Sequence, residues 1–220
     1  MNEALIRLIV FVAVLVIMIA AEAWLPRRER AMDRLLRWPG NFGAAMLGTF
    51  LVRLAIPTSA VGVATALEAD GIGLLNMVAL PPALAILLAV IALDFVIYWQ
   101  HRLFHAVPVF WRLHRMHHTD LEFDVTTALR FHPFEILLSM LLKLGAILIL
   151  GAPALAVIIF EIVLNGSAMF NHANVRLPNG LDKALRLLIV TPDMHRVHHS
   201  TMPEETNSNF GFCLSCWDRW

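Results

Sequence analysis

The stretch Phe134–Phe170, FEILLSMLLKLGAILILGAPALAVIIFEIVLNGSAMF, decides how this chain folds. It is apolar for 37 residues, with Lys143 out of place in its first half and Gly151-Ala-Pro153 near its middle. One helix of that length would run about 55 Å at ~1.5 Å per residue, against a hydrocarbon core of ~30 Å. Two helices, 134–150 and 153–170, turning at Gly-Ala-Pro fit better. The choice matters because of what flanks the stretch. Upstream lie His101-Arg-Leu-Phe-His105 and His114-Arg-Met-His117-His118; downstream lies His195-Arg-Val-His198-His199. A single crossing would put the third cluster across the membrane from the first two. Two crossings keep all three together.

The clusters hold eight of the ten histidines, and only His132 and His172 lie outside them. Residues three and four apart share one face of a helix, so each cluster reads as ligands presented together. Neutral imidazole binds Zn, Fe, Cu and Ni, and spacing alone does not choose among them. A zinc-like site takes four ligands, or three plus water, so eight or more histidines imply two adjacent ions. The Glu of a His-Glu-x-x-His protease is missing from every cluster, which excludes that route to peptide hydrolysis.

Composition agrees with a membrane setting. The 220 residues are 59% hydrophobic and 15% charged, with a mean hydropathy of +0.69, too apolar for an ordinary soluble domain. Net charge is zero, so nothing suggests nucleic acid. Two cysteines, in Cys213-Leu-Ser-Cys216, cannot build a disulfide scaffold and read as incidental. Ala4–Trp24 is long enough to span, lacks a small-residue cleavage pattern after it, and is expected to stay as a membrane helix. Pro26–Arg37 reads as a basic loop or short interfacial helix. Phe42–Leu67 is a second span, kinked at Pro57, with Arg53 mid-way and expected to face protein or water. Glu68–Pro82 is a loop. Ala83–Gln100 is the third span and carries Asp94, seven residues before His101 on the same helical face. Asp94 is a candidate to accept the second N–H of a metal-bound imidazole; a salt bridge to Arg102 is the plainer alternative.

With spans at 4–24, 42–67, 83–100, 134–150 and 153–170, every histidine cluster, His172 and the basic loop fall on one side. Fourteen of the seventeen Lys and Arg fall there too, the exceptions being Arg7, Arg53 and Lys143. The positive-inside rule makes that side cytoplasmic. The expected fold is therefore all-α: a multi-pass membrane helical bundle with a cytosolic-facing, helical, histidine-rich metal cap. Residues 1–82 supply N-terminal spans and the basic loop; residues 83–220 carry the chemistry.

These residues bear a family resemblance. Tyr98-Trp-Gln-His-Arg-Leu-Phe-His105 resembles the first box of the sterol desaturase/fatty acid hydroxylase superfamily, and Trp111-Arg-Leu-His-Arg-Met-His-His118 its second. Phe170-Asn-His-Ala-Asn174 and Thr191-Pro-Asp-Met-His-Arg-Val-His-His199 resemble its third region, and Asn209-Phe-Gly-Phe with Trp217-Asp-Arg219 its closing motif. In the family a Phe-Gly-Thr-like stretch and a tail usually follow; the sequence here stops at Trp220. The resemblance covers about 90–220 and implies a di-iron oxygenase. Its implied ligands are His101, His105, His114, His117, His118, His195, His198, His199 and, further, His172. His132, in Arg130-Phe-His-Pro133, is a tenth ligand or a residue that supports one. The implied reaction uses O2 at two iron ions to hydroxylate or desaturate an unactivated C–H bond of a membrane lipid. No dinucleotide fingerprint or haem motif is present, so a separate reductase, ferredoxin or cytochrome must supply electrons. Imidazole suits such an oxidant better than thiolate, which oxidises readily. A membrane metal-binding or transport protein is the competing class, but it requires ionisable residues along a path through the membrane. An inactive family member serving as a scaffold is the third.

Overall fold

The computed structural model describes residues 3–120 and 122–219. Its long helices are α1 (Glu3–Trp24), α2 (Arg34–Ala55), α3 (Ala60–Asp70), α4 (Pro82–Ala106), α5 (Pro108–His118), α6 (Pro133–Leu150) and α7 (Ala154–Asn171). Shorter ones follow: α8 (Asn179–Leu185), α9 (Pro192–His198) and α10 (Pro203–Thr206), with 3-10 turns at Val125–Leu129 and Ser215–Arg219. Among the described residues there is no strand, only two isolated bridges. Among the described residues, five segments are long and apolar enough to cross a membrane: Glu3–Trp24, Arg34–Asp70, Pro82–Ala106, Pro133–Leu150 and Ala154–Asn171. The chain is a multi-pass integral membrane protein, and the 134–170 stretch forms two helices, each long and apolar enough to cross. Gly151 ends α6 with a left-handed φ of 62°. The 72–75 loop closes over this turn, with Leu74 N–H and Leu75 N–H donating to Ile149 O and Leu150 O at 3.0 and 2.8 Å. A Cβ on Gly73 would sit 2.2 Å from Gly151 N, so only glycine permits that approach.

Two spans differ from their sequence reading. Asp33 caps α2 by accepting from Leu35 N–H at 3.0 Å, so the helix starts at Arg34, not Phe42. Pro57 then stops the helix rather than kinking it: Ile56 is extended at φ −129°, as a residue before proline prefers, and Ser59 caps α3. Arg53 therefore lies, exposed, in the last turn of α2, just before that break. The third span runs past Gln100 to Ala106. At 25 residues, or about 37 Å, α4 is longer than the hydrocarbon core is thick, and its last two turns carry His101 and His105. Pro108 opens α5 at the point where the chain turns.

The apolar core joins α3, α4, α6 and α7 around Leu93, Ile147, Val157 and Phe160, all at most 1% exposed. At the other end of the bundle a buried polar network ties α1 and α2 to the 120–130 segment. Arg37, on α2, bonds both oxygens of Asp120 at 2.7 and 2.6 Å and Asp124 Oδ2 at 2.9 Å. Asn41 donates to Asp120 and Thr126, and Arg130 donates to Asn41 Oδ1 and to Met116 O at the end of α5. Glu22, at the end of α1, accepts Val125 N–H, Asn174 N–H and the Arg34 guanidinium. Burial alone would raise the Asp124 pKa. Hydrogen bonds from Thr126 and Trp38 and the Arg37 charge override burial and hold it below the usual carboxylate value. This contribution is present at neutral pH and lost as pH falls below about 4.

Arg37→Met leaves two buried carboxylates without their cation. Breaking such a pair costs about 3–5 kcal/mol. The thermal midpoint in detergent should fall by roughly 6–20 °C; a shift under about 2 °C would show that the network does not hold α2 in place.

Candidate metal centre

All the clusters meet at one end of the bundle. Nine histidines divide into two groups whose ligand atoms lie within 4.8 Å of one another: His101, His105, His114, His118 and His198, and His117, His172, His195 and His199. The division follows helical geometry. On α5, His114 and His118 are one turn apart and share a face, while His117 is rotated away by roughly 100° from His118. Thus α5 gives two ligands to the first group and one to the second. The α9 cluster does the reverse, with His195 and His199 in the second group and His198 in the first. His172 caps the end of α7. The groups touch: His118 stacks on His199 with ring centroids 4.4 Å apart, and His195 on His198 at 4.9 Å.

Hydrogen bonds fix the orientation of the rings. A carbonyl oxygen can only accept, so His101 Nδ1–H donates to Phe210 O, His172 Nδ1–H to Ala168 O and His198 Nδ1–H to Ser208 O, each at 2.7 Å. His114 Nδ1–H donates to the Glu135 carboxylate at 2.6 Å. These bonds leave the Nε2 lone pairs bare. Yet His101 Nε2 and His114 Nε2 stand 3.1 Å apart. Around His172 Nε2 lie His117, His195 and His199 at 3.0, 3.1 and 3.2 Å, and one lone pair cannot accept from three. Converging lone pairs repel unless a cation lies among them. His198 Nε2 is buried with no hydrogen-bond partner, as that arrangement requires. Burial also keeps the rings neutral, pushing His118 down to about 2 and His172 to about 4, with His117, His195 and His199 well below the ordinary value. A pair of imidazole-binding transition-metal ions fits this donor set.

The remaining candidates fall elsewhere. Asp94 touches no imidazole and does not pair with Arg102. Its Oδ2 accepts Leu214 N–H at 3.1 Å and the Trp217 indole N–H at 2.9 Å, so it anchors the closing motif to α4. Arg102 instead lies 4.9 Å over the Trp99 ring. His132 belongs to neither group; it caps α6, its Nδ1 accepting Phe134 N–H at 3.2 Å. The carboxylate that orients an imidazole is Glu135, two residues beyond Pro133. His-Pro-Phe-Glu, with a capping side chain, proline at the first helical position and Glu at the third, is a helix-start signature that would have marked it. The closing motif buttresses the histidines through backbone: Asp218 accepts Phe210 N–H and Gly211 N–H at 2.7 and 2.9 Å, and Asn209 takes a left-handed φ of 51° between the two carbonyls that hold His198 and His101. Cys213 and Cys216 are free thiols, apart from both groups. Lys143, odd in sequence, is paired with Glu161, which also takes Arg7 at 2.6 Å. A pocket of about 340 Å³ runs from His101, His114 and Glu135 between α2, α4, α6 and α7, with Phe11 of α1, to Lys143 and Glu161.

Fold and site together define a multi-pass membrane protein with two clustered histidine sites at one end of its helices. Residues 86–220 match the fatty acid hydroxylase family, and the chain belongs to it. Among curated proteins, it is 32% identical over 139 residues to ornithine lipid hydroxylase OlsE of Rhizobium tropici, covering 63% of this chain and 41% of that one. It is 32% identical over 132 residues to alkylglycerol monooxygenase of Xenopus tropicalis, and 30% over 132 residues to that of Homo sapiens; each match covers 60% of this chain and 28% of the relative. The chain thus spans less than half the length of these relatives. No solved structure matches it.

Glu135→Ala removes the acceptor of His114 Nδ1–H. Metal affinity, read by chelator competition, should drop about 10–100-fold, with Glu135→Gln losing less; equal affinity in all three proteins would mean that Glu135 does not position His114.

Proposed function

We propose that this protein is a non-haem di-iron oxygenase that hydroxylates an unactivated C–H bond of a membrane lipid. The observation that carries the reading is the pair of all-imidazole groups, five and four histidines, with His101 and His114 of the first group lining a pocket between the long helices. Membership of the fatty acid hydroxylase family favours iron over the other metals that imidazole accepts. His101, His105, His114, His118 and His198 would hold one ion, and His117, His172, His195 and His199 the other. The bound metal would supply O2 activation. Balanced, one oxygen atom enters the C–H bond as hydroxyl and the other leaves as water, with two electrons from a separate donor protein and two protons from solvent.

The chain's own residues then have three tasks. Glu135 and the carbonyls of Ala168, Ser208 and Phe210 hold the imidazoles in one tautomer. His132 caps α6 and so fixes where Glu135 stands. The pocket walls orient the lipid and exclude water from the reacting carbon. The histidine end shares its side of the membrane with Arg27, Arg28, Arg30, Arg34 and Arg37, which favours placing it in the cytoplasm, where soluble electron donors are found. Relatives whose names specify hydroxylation of a lipid and monooxygenation of an alkylglycerol favour hydroxylation over desaturation.

The test is expression under ¹⁸O2, with lipid extracts compared by mass spectrometry. The wild type should introduce one ¹⁸O per product lipid. His118→Ala, in the five-histidine group, and His117→Ala, in the four-histidine group, should each abolish labelling, by at least ~10²-fold. A labelled lipid that persists in both variants, or unsaturated product without label, would overturn the reading.

A further inference from the structure

The two histidine groups are packed against other aromatic rings, and all but one of these are phenyl. Phe104, Phe123, Phe131, Phe210 and Phe212 lie with ring centroids between 4.2 and 6.5 Å from the imidazoles. The exception is Trp111. Its ring centroid is 4.9 Å from that of His105 and 5.4 Å from that of His118, both in the five-histidine group. Trp111, His114 and His118 recur at helical spacing and share one face of α5. Trp111 is half-buried; its indole N–H makes no hydrogen bond among the described residues and is open to the surface. Tyr98, Trp99 and Trp217 pack with one another instead. Among the described residues, no other tryptophan or tyrosine ring touches a histidine of either group.

Phenyl rings resist one-electron oxidation, whereas indole gives up an electron readily. A site that generates a strong oxidant must also be kept from attacking its own ligands. We propose that Trp111 is a redox relay that discharges the site when no lipid C–H bond is in place, and so spares the histidines. The inference rests on the oxygenase reading, which supplies the oxidant. Two electrons bring O2 to the point at which a C–H bond would be attacked. Without that bond, two further electrons, and four protons in all, complete its reduction to two waters. Trp111 supplies these electrons singly. The indole loses an electron to the site and its Nε1 proton to water; the separate donor protein then returns an electron and solvent a proton. Arg112 and Arg115, exposed nearby on α5, disfavour a positive charge on the indole, so the proton leaves with the electron. The open N–H gives that proton its way out.

The test is a single turnover of the full chain in dodecyl maltoside, loaded with ferrous iron and mixed with O2 with no lipid substrate added. The two ferrous ions supply the first two electrons, and the protein must supply the rest. Wild type frozen during the reaction should show an organic radical by electron paramagnetic resonance, with a line that narrows when the tryptophans are indole-deuterated. Peptide mass spectrometry should find oxidised Trp111, above every other tryptophan, with His105 and His118 intact. Trp111→Phe keeps a ring in place but should lose the radical, while oxidation of His105 and His118 rises severalfold. Trp111→Tyr, oxidisable again, should restore a radical and protect the ligands. A packing role alone would make the two variants alike, which would overturn the inference. So would wild type, which needs no variant to fold, with neither radical nor oxidised Trp111. ¹⁸O-labelled lipid without oxidation of Trp111 would overturn the relay and leave the oxygenase reading standing; iron-dependent oxidation of Trp111 in a protein that labels no lipid would do the reverse.

Discussion

The bare Nε2 lone pairs of His101 and His114, 3.1 Å apart, are the constraint on which the rest of the structure turns. Each ring donates its one N–H, at Nδ1, to Phe210 O or to Glu135. Two acceptors at that distance cannot bond each other. Their repulsion is relieved by a cation, and the surrounding protein is arranged to hold the rings against it until one binds. Hydrogen bonds that lock the unused ring nitrogen are what set tautomer and basicity in histidine metal sites. Here the partners come from α6, from the end of α7, and from the segment after α10, so no single element owns the site.

That dependence explains the topology. Ligands on α4, α5, α7 and α9 can converge only if every intervening excursion returns to the same side. The turn at Gly151 and the break at Pro57 make those returns possible. The network of Arg37 with Asp120 and Asp124, and the hub at Glu22, then clamp α1 and α2 to the segment that follows α5. These charges sit behind the histidines rather than among them. The site stays free of competing carboxylate ligands, except for Glu135, which reaches one imidazole from its far side.

Much of this was legible in the sequence, and the parts that were not share a cause. Helical spacing marks His101 with His105, and the two His-x-x-His-His clusters, because side-chain direction on a helix follows from residue number. The two helices of 134–170 follow from length alone. The partition into five and four departs from the reading of each cluster as ligands presented together: His117 and His118, one residue apart on a helix, diverge by roughly 100° and fall in different groups. What the sequence conceals is pairing over distance. Asp94 shares a helical face with His101, but Trp217, 123 residues away, claims its oxygen. The acids Asp120 and Asp124 look like an ordinary polar loop until Arg37 is seen against them. Phe210 and Ser208 act through backbone carbonyls, which every residue possesses, so no side-chain pattern reveals them. The start of α2 at Arg34 is hidden because its first turn is basic and suits a loop or a short interfacial helix as well as a span; the Asp33 cap is the local signal.

The most direct test of the central claim is iron K-edge X-ray absorption on protein reconstituted with ferrous iron. Two all-imidazole sites predict a first shell of nitrogen and water oxygen, strong outer-shell imidazole scattering and no sulfur. They also predict that about half the bound iron is lost in His117→Ala, a four-histidine ligand, with the imidazole pattern kept for the rest. A sulfur shell from Cys213 or Cys216, or a shell dominated by carboxylate with weak imidazole scattering, would contradict the account.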